Sequence, residues 1–225
     1  MPSEKFILRV GAIAGALAVV LLGAMIFVGL QIGPDFENLV SMSPTLIAEL
    51  FVNSQGKLRG VMAIDDLFAL AYVIAFIGLA VYARRRAPVF AWIGLGFALA
   101  TGALDWLENS ITLGLISYVL PKFVMNTTPL LSADQLLALN IVTQMKYLCA
   151  NGAVALFGIG IWNARGLNRA AALLFWLFVP LNVLAFISAP LASARILGML
   201  VLLIVGAMVL WRASEIRDQE SEIRF

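Results

Sequence analysis

The chain has 225 residues, 62% of them apolar and only 12% charged, with 15 Lys and Arg against 13 Asp and Glu. A soluble domain carries about twice that fraction of charge, so a water-facing globule, a disordered chain and a nucleic-acid binder working through a basic patch are poor fits. The absence of histidine and the single cysteine, Cys149, remove an intrachain disulfide, a Cys/His zinc site and a haem held between histidines. What remains is an all-α integral membrane protein, with residues 1–225 forming a single transmembrane domain.

A spanning helix needs about 20 mostly apolar residues, and six stretches come close enough to predict a six-transmembrane-helix bundle. The first is 10–30. Lys5 and Arg9 before it resemble the start of a signal peptide, but the apolar run is too long for a cleaved one, so a retained helix is expected. Gly11 and Gly15 form a GxxxG pair that marks a close helix approach. The loop at 31–60 carries Asp35, Glu37 and Glu49. Within it, Ser43 and Pro44 read as an N-cap followed by proline at the first helical position. Met42, Leu46, Leu50 and Phe51 recur at helical spacing, predicting a short amphipathic interfacial helix in the first outer loop. That helix is either a surface connection or a lid.

The second span, 64–83, opens on Asp65 and Asp66 and ends at Arg84, Arg85 and Arg86. The third, 88–107, continues helically to about 117, and its Gly94, Gly96 and Gly102 predict further close approaches. The fourth lies within 133–163, behind a capping box made by Ser132 and Gln135. The fifth is 170–187, where Pro180 frees a backbone carbonyl and permits a kink. The sixth is 191–211. The tail, 212–225, has mixed charges (Glu215, Arg217, Asp218, Glu220, Glu222 and Arg224), as expected of a frayed helical extension in water.

Basic residues cluster on the cytoplasmic side of membrane proteins. With six spans, one side holds Lys5, Arg9, Arg84, Arg85, Arg86, Arg165, Arg169, Arg212, Arg217 and Arg224. The other holds Lys57, Arg59, Lys122 and Arg195. Both termini are therefore expected in the cytoplasm. Short loops and the lack of eukaryotic-type targeting signals suggest a bacterial plasma (inner) membrane.

Ionisable groups in hydrocarbon are expensive and normally face a bundle interior or a wet cavity. Span three places Thr101, Asp105, Glu108, Asn109 and Thr112 on one helical face. Span four places Asn140, Gln144, Tyr147 and Asn151 on one stripe, with Lys146 off it and Thr143 between. The two stripes are expected to pack face to face. Asp65, on the face of Ala69, Tyr72 and Phe76, is the inward-facing member of its pair; Asp66 aligns with Leu70, Val73 and Ile77. Lys146 and Arg195 are the cations available to balance these carboxylates, and Asn182 adds an amide.

The polar groups gather in the outer half of the spans, which disfavours a simple channel. The leading expectation is a protein that binds or transports a small cationic or amphipathic ligand in an outward-facing acidic cavity. Its ligand-binding candidates are Asp65, Asp105, Glu108, Asn109, Asn140, Gln144, Lys146, Tyr147, Asn182 and Arg195. No metal site and no cofactor are expected; the partners expected are membrane lipids, a small-molecule ligand, and a membrane partner subunit or second copy. Six helices with cytoplasmic termini and long outer loops resemble, in layout alone, the substrate-binding subunits of energy-coupling-factor vitamin transporters. One alternative is an accessory or structural subunit whose polar cluster is packing. A second is an intramembrane lipid- or isoprenoid-modifying enzyme of isomerase or cyclase type, with Asp105 and Glu108 as acid and base. With no histidine to activate a nucleophile, hydrolysis by a triad is excluded.

Overall fold

The computed structural model describes residues 3–33, 43–124, 131–162, 166–185 and 189–222. The expectations attached to Asp35, Glu37, Met42, Arg165 and Arg224, and to the side chains of Lys122, Arg217, Asp218, Glu220 and Glu222, lie outside the described residues.

The described chain forms seven helices and no strand: α1 Glu4–Ile32, α2 Pro44–Asn53, α3 Gln55–Ala83, α4 Pro88–Val124, α5 Ala133–Ile161, α6 Leu167–Leu184 and α7 Ala189–Glu222. Five of them (α1, α3, α4, α6 and α7) are long and apolar enough to cross a membrane. α5 is as long as α1 and α3, but Asn140, Gln144, Lys146 and Asn151 dilute its apolar character.

Helix ends follow local chemistry. Ser3 caps α1 by accepting from the Phe6 amide at 3.2 Å, and Ser43 caps α2 by accepting from the Leu46 amide at 3.4 Å, with Pro44 at the first turn. The capping box of α5 is complete: the Gln135 amide donates to Ser132 Oγ at 3.2 Å and the Ser132 amide donates to Gln135 Oε1 at 2.9 Å. One helix start and one buried face depart from the sequence expectation, and α4 runs on to Val124 instead of ending at about 117. α3 begins at Gln55, nine residues before Ile64, because Leu58 and Val61 are buried and extend the apolar face backwards. In α2 the buried residues are Ile47, Ala48 and Phe51, while Leu46 is exposed, so the inward face is rotated from the one read off the sequence.

Apart from α2, the helices close into a ring of neighbours in the order α1, α3, α4, α5, α6, α7 and back to α1, with α3 also touching α5 and α7 across the interior. Small residues permit these approaches. A Cβ on Gly11 would stand 3.0 Å from the Gly78 Cα, and one on Gly15 would stand 3.1 Å from the Ala207 Cβ, so the GxxxG pair seats α1 on both α3 and α7. Gly96, in contrast, faces open space and supports no helix approach.

One apolar core, including Leu8, Phe157, Phe175 and Leu210, fills the end of the ring that carries Arg84, Arg85 and Arg86. A separate core of Phe51, Leu58, Ile116, Val119 and Leu139 joins α2 to the opposite ends of α3, α4 and α5. At 37 residues, α4 is about 55 Å long, well beyond a hydrocarbon layer of about 30 Å. Its second half carries this second core. The polar residues lie between these two cores, beside a third apolar cluster that includes Ala18, Leu22, Phe68, Ala69 and Leu203 on α1, α3 and α7.

Candidate functional site

The middle of α4 supplies the site. Asp105, Glu108 and Asn109 occupy adjacent positions on one helical face, and Asp105 and Asn109 are buried. A buried carboxylate needs donors or a counter-charge to offset lost hydration, and α3 and α5 provide both. From α3, the Tyr72 hydroxyl donates to Asp105 Oδ2. From α5, Lys146 Nζ lies 2.9 Å from Asp105 Oδ1 and also pairs with Glu108 Oε2. Thr143, one turn before Lys146, donates its hydroxyl to Glu108 Oε1 at 2.7 Å. The Asn109 amide nitrogen reaches back to α3 and donates to Asp65 Oδ2 and Asp66 Oδ1, both at 2.9 Å.

One lysine thus serves two carboxylates, while Asp65 takes its hydrogen bond from an amide. The cluster gathers three carboxylates, Asp65, Asp105 and Glu108, about the Lys146 ammonium, with the Arg195 guanidinium over the neighbouring Tyr147 ring. This arrangement suits a positively charged or proton-bearing group. Among the described residues, no three His, Cys, Asp or Glu side chains are arranged to hold a metal ion.

The cations sit differently from the sequence expectation. Lys146, placed off the polar stripe by helical angle, is the residue that α5 turns towards α4, together with Thr143 and the buried Leu139. Asn140 and Gln144 instead bond each other at 3.1 Å on an exposed part of α5. The expected face-to-face match of the two stripes is therefore corrected: α5 is rotated, because a lysine paired with two carboxylates outweighs the packing of neutral amides. The Arg195 guanidinium lies over the Tyr147 ring, 4.4 Å from the centroid, and Lys146 Nζ lies 5.1 Å from the same centroid. Such cation–π contacts strengthen when desolvated.

Asn182 joins a different pair. It is buried on α6 and donates to Asn151 Oδ1 on α5 at 2.7 Å, holding those helices together one turn beyond Tyr147. Thr101 and Thr112 point their hydroxyls back to the carbonyls of Phe97 and Glu108, both at 2.9 Å, and so satisfy themselves within α4. Asp66 is more involved than its outward helical angle suggested: besides its bond from Asn109, its backbone carbonyl accepts from the Trp106 indole at 3.3 Å.

Besides Asp66, two contributors are absent from the sequence-based candidates, Tyr72 and Thr143. Both carried a usable signal. Tyr72 stands seven residues after Asp65, two turns along the same face, and Thr143 stands three residues before Lys146.

No known protein family, curated protein or solved structure matches this chain.

Proposed function

We propose that the chain is a six-span bacterial plasma-membrane protein, with both termini in the cytoplasm, that binds or transports a small cationic or amphipathic ligand at the Asp105–Glu108 cluster. The observation that carries this reading is the gathering of carboxylates: Asp105 and Glu108 share the Lys146 ammonium, and Asp65 beside them is held by the Asn109 amide. A cation entering the cluster would meet these carboxylate oxygens, and Tyr72, Tyr147 and Phe76 would supply aromatic walls. α5 serves as the sixth span because Thr143 and Lys146 turn inwards to partners on α4. An outward-opening site fits its depth, since Asp105 stands 17 residues beyond Pro88, or about 26 Å from the arginine-rich end.

The test is binding of permanently or predominantly charged probes to the purified protein in detergent, using tetraphenylphosphonium, choline and octylamine. At least one should raise the thermal unfolding midpoint saturably, and the Asp105→Asn/Glu108→Gln double variant should lose that response. If no probe binds the folded wild type, or the double variant binds as well as wild type, the reading fails.

A second reading has its own support. The cluster also clamps α3, α4 and α5 together, as a purely structural polar core of an accessory subunit would. That reading expects destabilisation by the same substitutions with no response to any cation.

A further inference from the structure

One deeply buried amide in the bundle is only half satisfied. Asn182 on α6 is 1% exposed, and its amide nitrogen donates to Asn151 Oδ1 on α5. Its own Oδ1 has no hydrogen-bond partner among the described residues. Turning the amides over does not remove the mismatch. With both side chains reversed, Asn151 donates to Asn182, and the Asn182 nitrogen becomes the group without a partner. A buried polar group left unpaired costs free energy. Asn182 therefore marks a place where a hydrogen-bonding group from outside the chain fits. Asn151 is only partly buried, so the pair is not sealed on the α5 side.

Its position ties this pair to the carboxylate cluster. Asn151 stands one turn beyond Tyr147 on the same stripe of α5, about 6 Å along the axis. The Tyr147 ring centroid lies 5.1 Å from Lys146 Nζ, which is itself 2.9 Å from Asp105 Oδ1. Tyr147 is thus the aromatic step between the carboxylates and the asparagines. The neighbours of Asn182 on α6 are apolar: Phe178 and Leu181 pack on α7, where a Cβ on Gly198 would stand 3.1 Å from each. Two polar ends are therefore separated by an aromatic and apolar stretch.

We propose that the Asn151–Asn182 pair is a second attachment point for the ligand of the carboxylate cluster, taking a hydroxyl at the far end of an amphipathic amine. This rests on the reading of Asp105 and Glu108 as a cation site, and it narrows the ligand to one with two polar ends. The ammonium meets the carboxylates, the alkyl stretch lies along Tyr147, and the hydroxyl reaches Asn182. A hydroxyl suits this position because it can donate to an amide oxygen or accept from an amide nitrogen, whichever Asn182 presents.

Calorimetric titration of the purified protein in detergent tests this. Hexylamine, octylamine and decylamine are compared with the amino alcohols that carry a hydroxyl on the last carbon of the same chains. The ratio of the two affinities is taken for wild type and for Asn151→Leu/Asn182→Leu, so that unequal partition of the amines into detergent cancels. Replacing both asparagines removes both sides of their bond and is close to neutral for folding. At the fitting length, the double variant should lose roughly fivefold of the preference for the amino alcohol, with alkylamine affinity unchanged. Asn182→Leu alone should show the same loss. In wild type, the amino alcohols should pass through an optimum length, whereas alkylamine affinity should rise steadily with buried apolar area. Unchanged ratios at every length, or a steady rise in both series, overturn this inference alone and leave water as the partner of Asn182. If wild type binds none of the six amines, the cation site itself falls, and this inference with it.

Discussion

Lys146 is the residue on which the polar cluster turns. It brings the only ammonium group to Asp105 and Glu108 in the described network, so removing it strands two carboxylates in a poorly hydrated place. Breaking a buried pair from one side costs about 3–5 kcal/mol. Lys146→Met should therefore lower the unfolding free energy in detergent by about that amount. The triple variant Lys146→Met/Asp105→Asn/Glu108→Gln should recover most of it, because neutral amides need no counter-ion. A triple variant as unstable as Lys146→Met would show that the loss comes from packing and not from charge. Tyr72→Phe removes one hydroxyl donor from Asp105 and should cost about 1.5–3 kcal/mol, as hydrogen bonds to charged groups do; a loss below about 0.5 kcal/mol would make that bond energetically idle. The involvement of Asp105, Glu108 and Asn109 was legible in the sequence, because three polar residues on one face of an apolar helix must find partners or water there. The dominance of Lys146 was not. Helical angles describe one helix, whereas the rotation of α5 is set by what α4 places opposite it.

At the scale of elements, boundaries were legible where a side chain makes a local hydrogen bond. The Ser132 capping box is the best case, since its residues alone satisfy the first turn of α5. Ser132→Ala should cost about 1 kcal/mol, read by chemical unfolding, and unchanged stability would mean that α5 is started by tertiary packing. The early start of α3 was less visible, because Gly56, Lys57 and Gly60 resemble a loop until Leu58 is buried by α2 and α4. Glycines divide in the same way. A Cβ on Gly160 would fall 2.5 Å from the Ala83 Cβ, whereas one on Gly96 meets nothing within 4 Å. Gly160→Leu should therefore destabilise by about 1–3 kcal/mol, while Gly96→Leu should stay within about 0.5 kcal/mol of wild type. Equal effects at the two positions would contradict the packing of α5 on α3.

For the molecule as a whole, the arrangement is a ring of six helices braced by α3, with polar chemistry between two of its three apolar cores. Both ends of the ring are tied by charge. Arg85 pairs with Glu4 at one end, while at the other Lys57 donates to the Gln31 carbonyl at 2.8 Å and Arg59 to Ser117 at 3.4 Å. The proposed orientation places the first end in the cytoplasm. In a Cys149→Ser background, Lys57→Cys should react with a membrane-impermeant maleimide in intact cells, and Ser3→Cys should react only after permeabilisation. The reverse pattern would invert the topology and move the carboxylate cluster towards the cytoplasmic face.

Composition and periodicity were enough to establish a helical, multi-pass membrane chain and to single out Asp105 and Glu108. Both conclusions rest on the cost of burying charge in hydrocarbon, which applies whatever the fold. The closing of the ring, the pairing of Lys146 with both carboxylates, the recruitment of Tyr72 and the joining of Asn151 to Asn182 were decided only by tertiary structure. Each depends on the relative rotation and depth of neighbouring helices, and those are set by contacts between residues far apart in the chain.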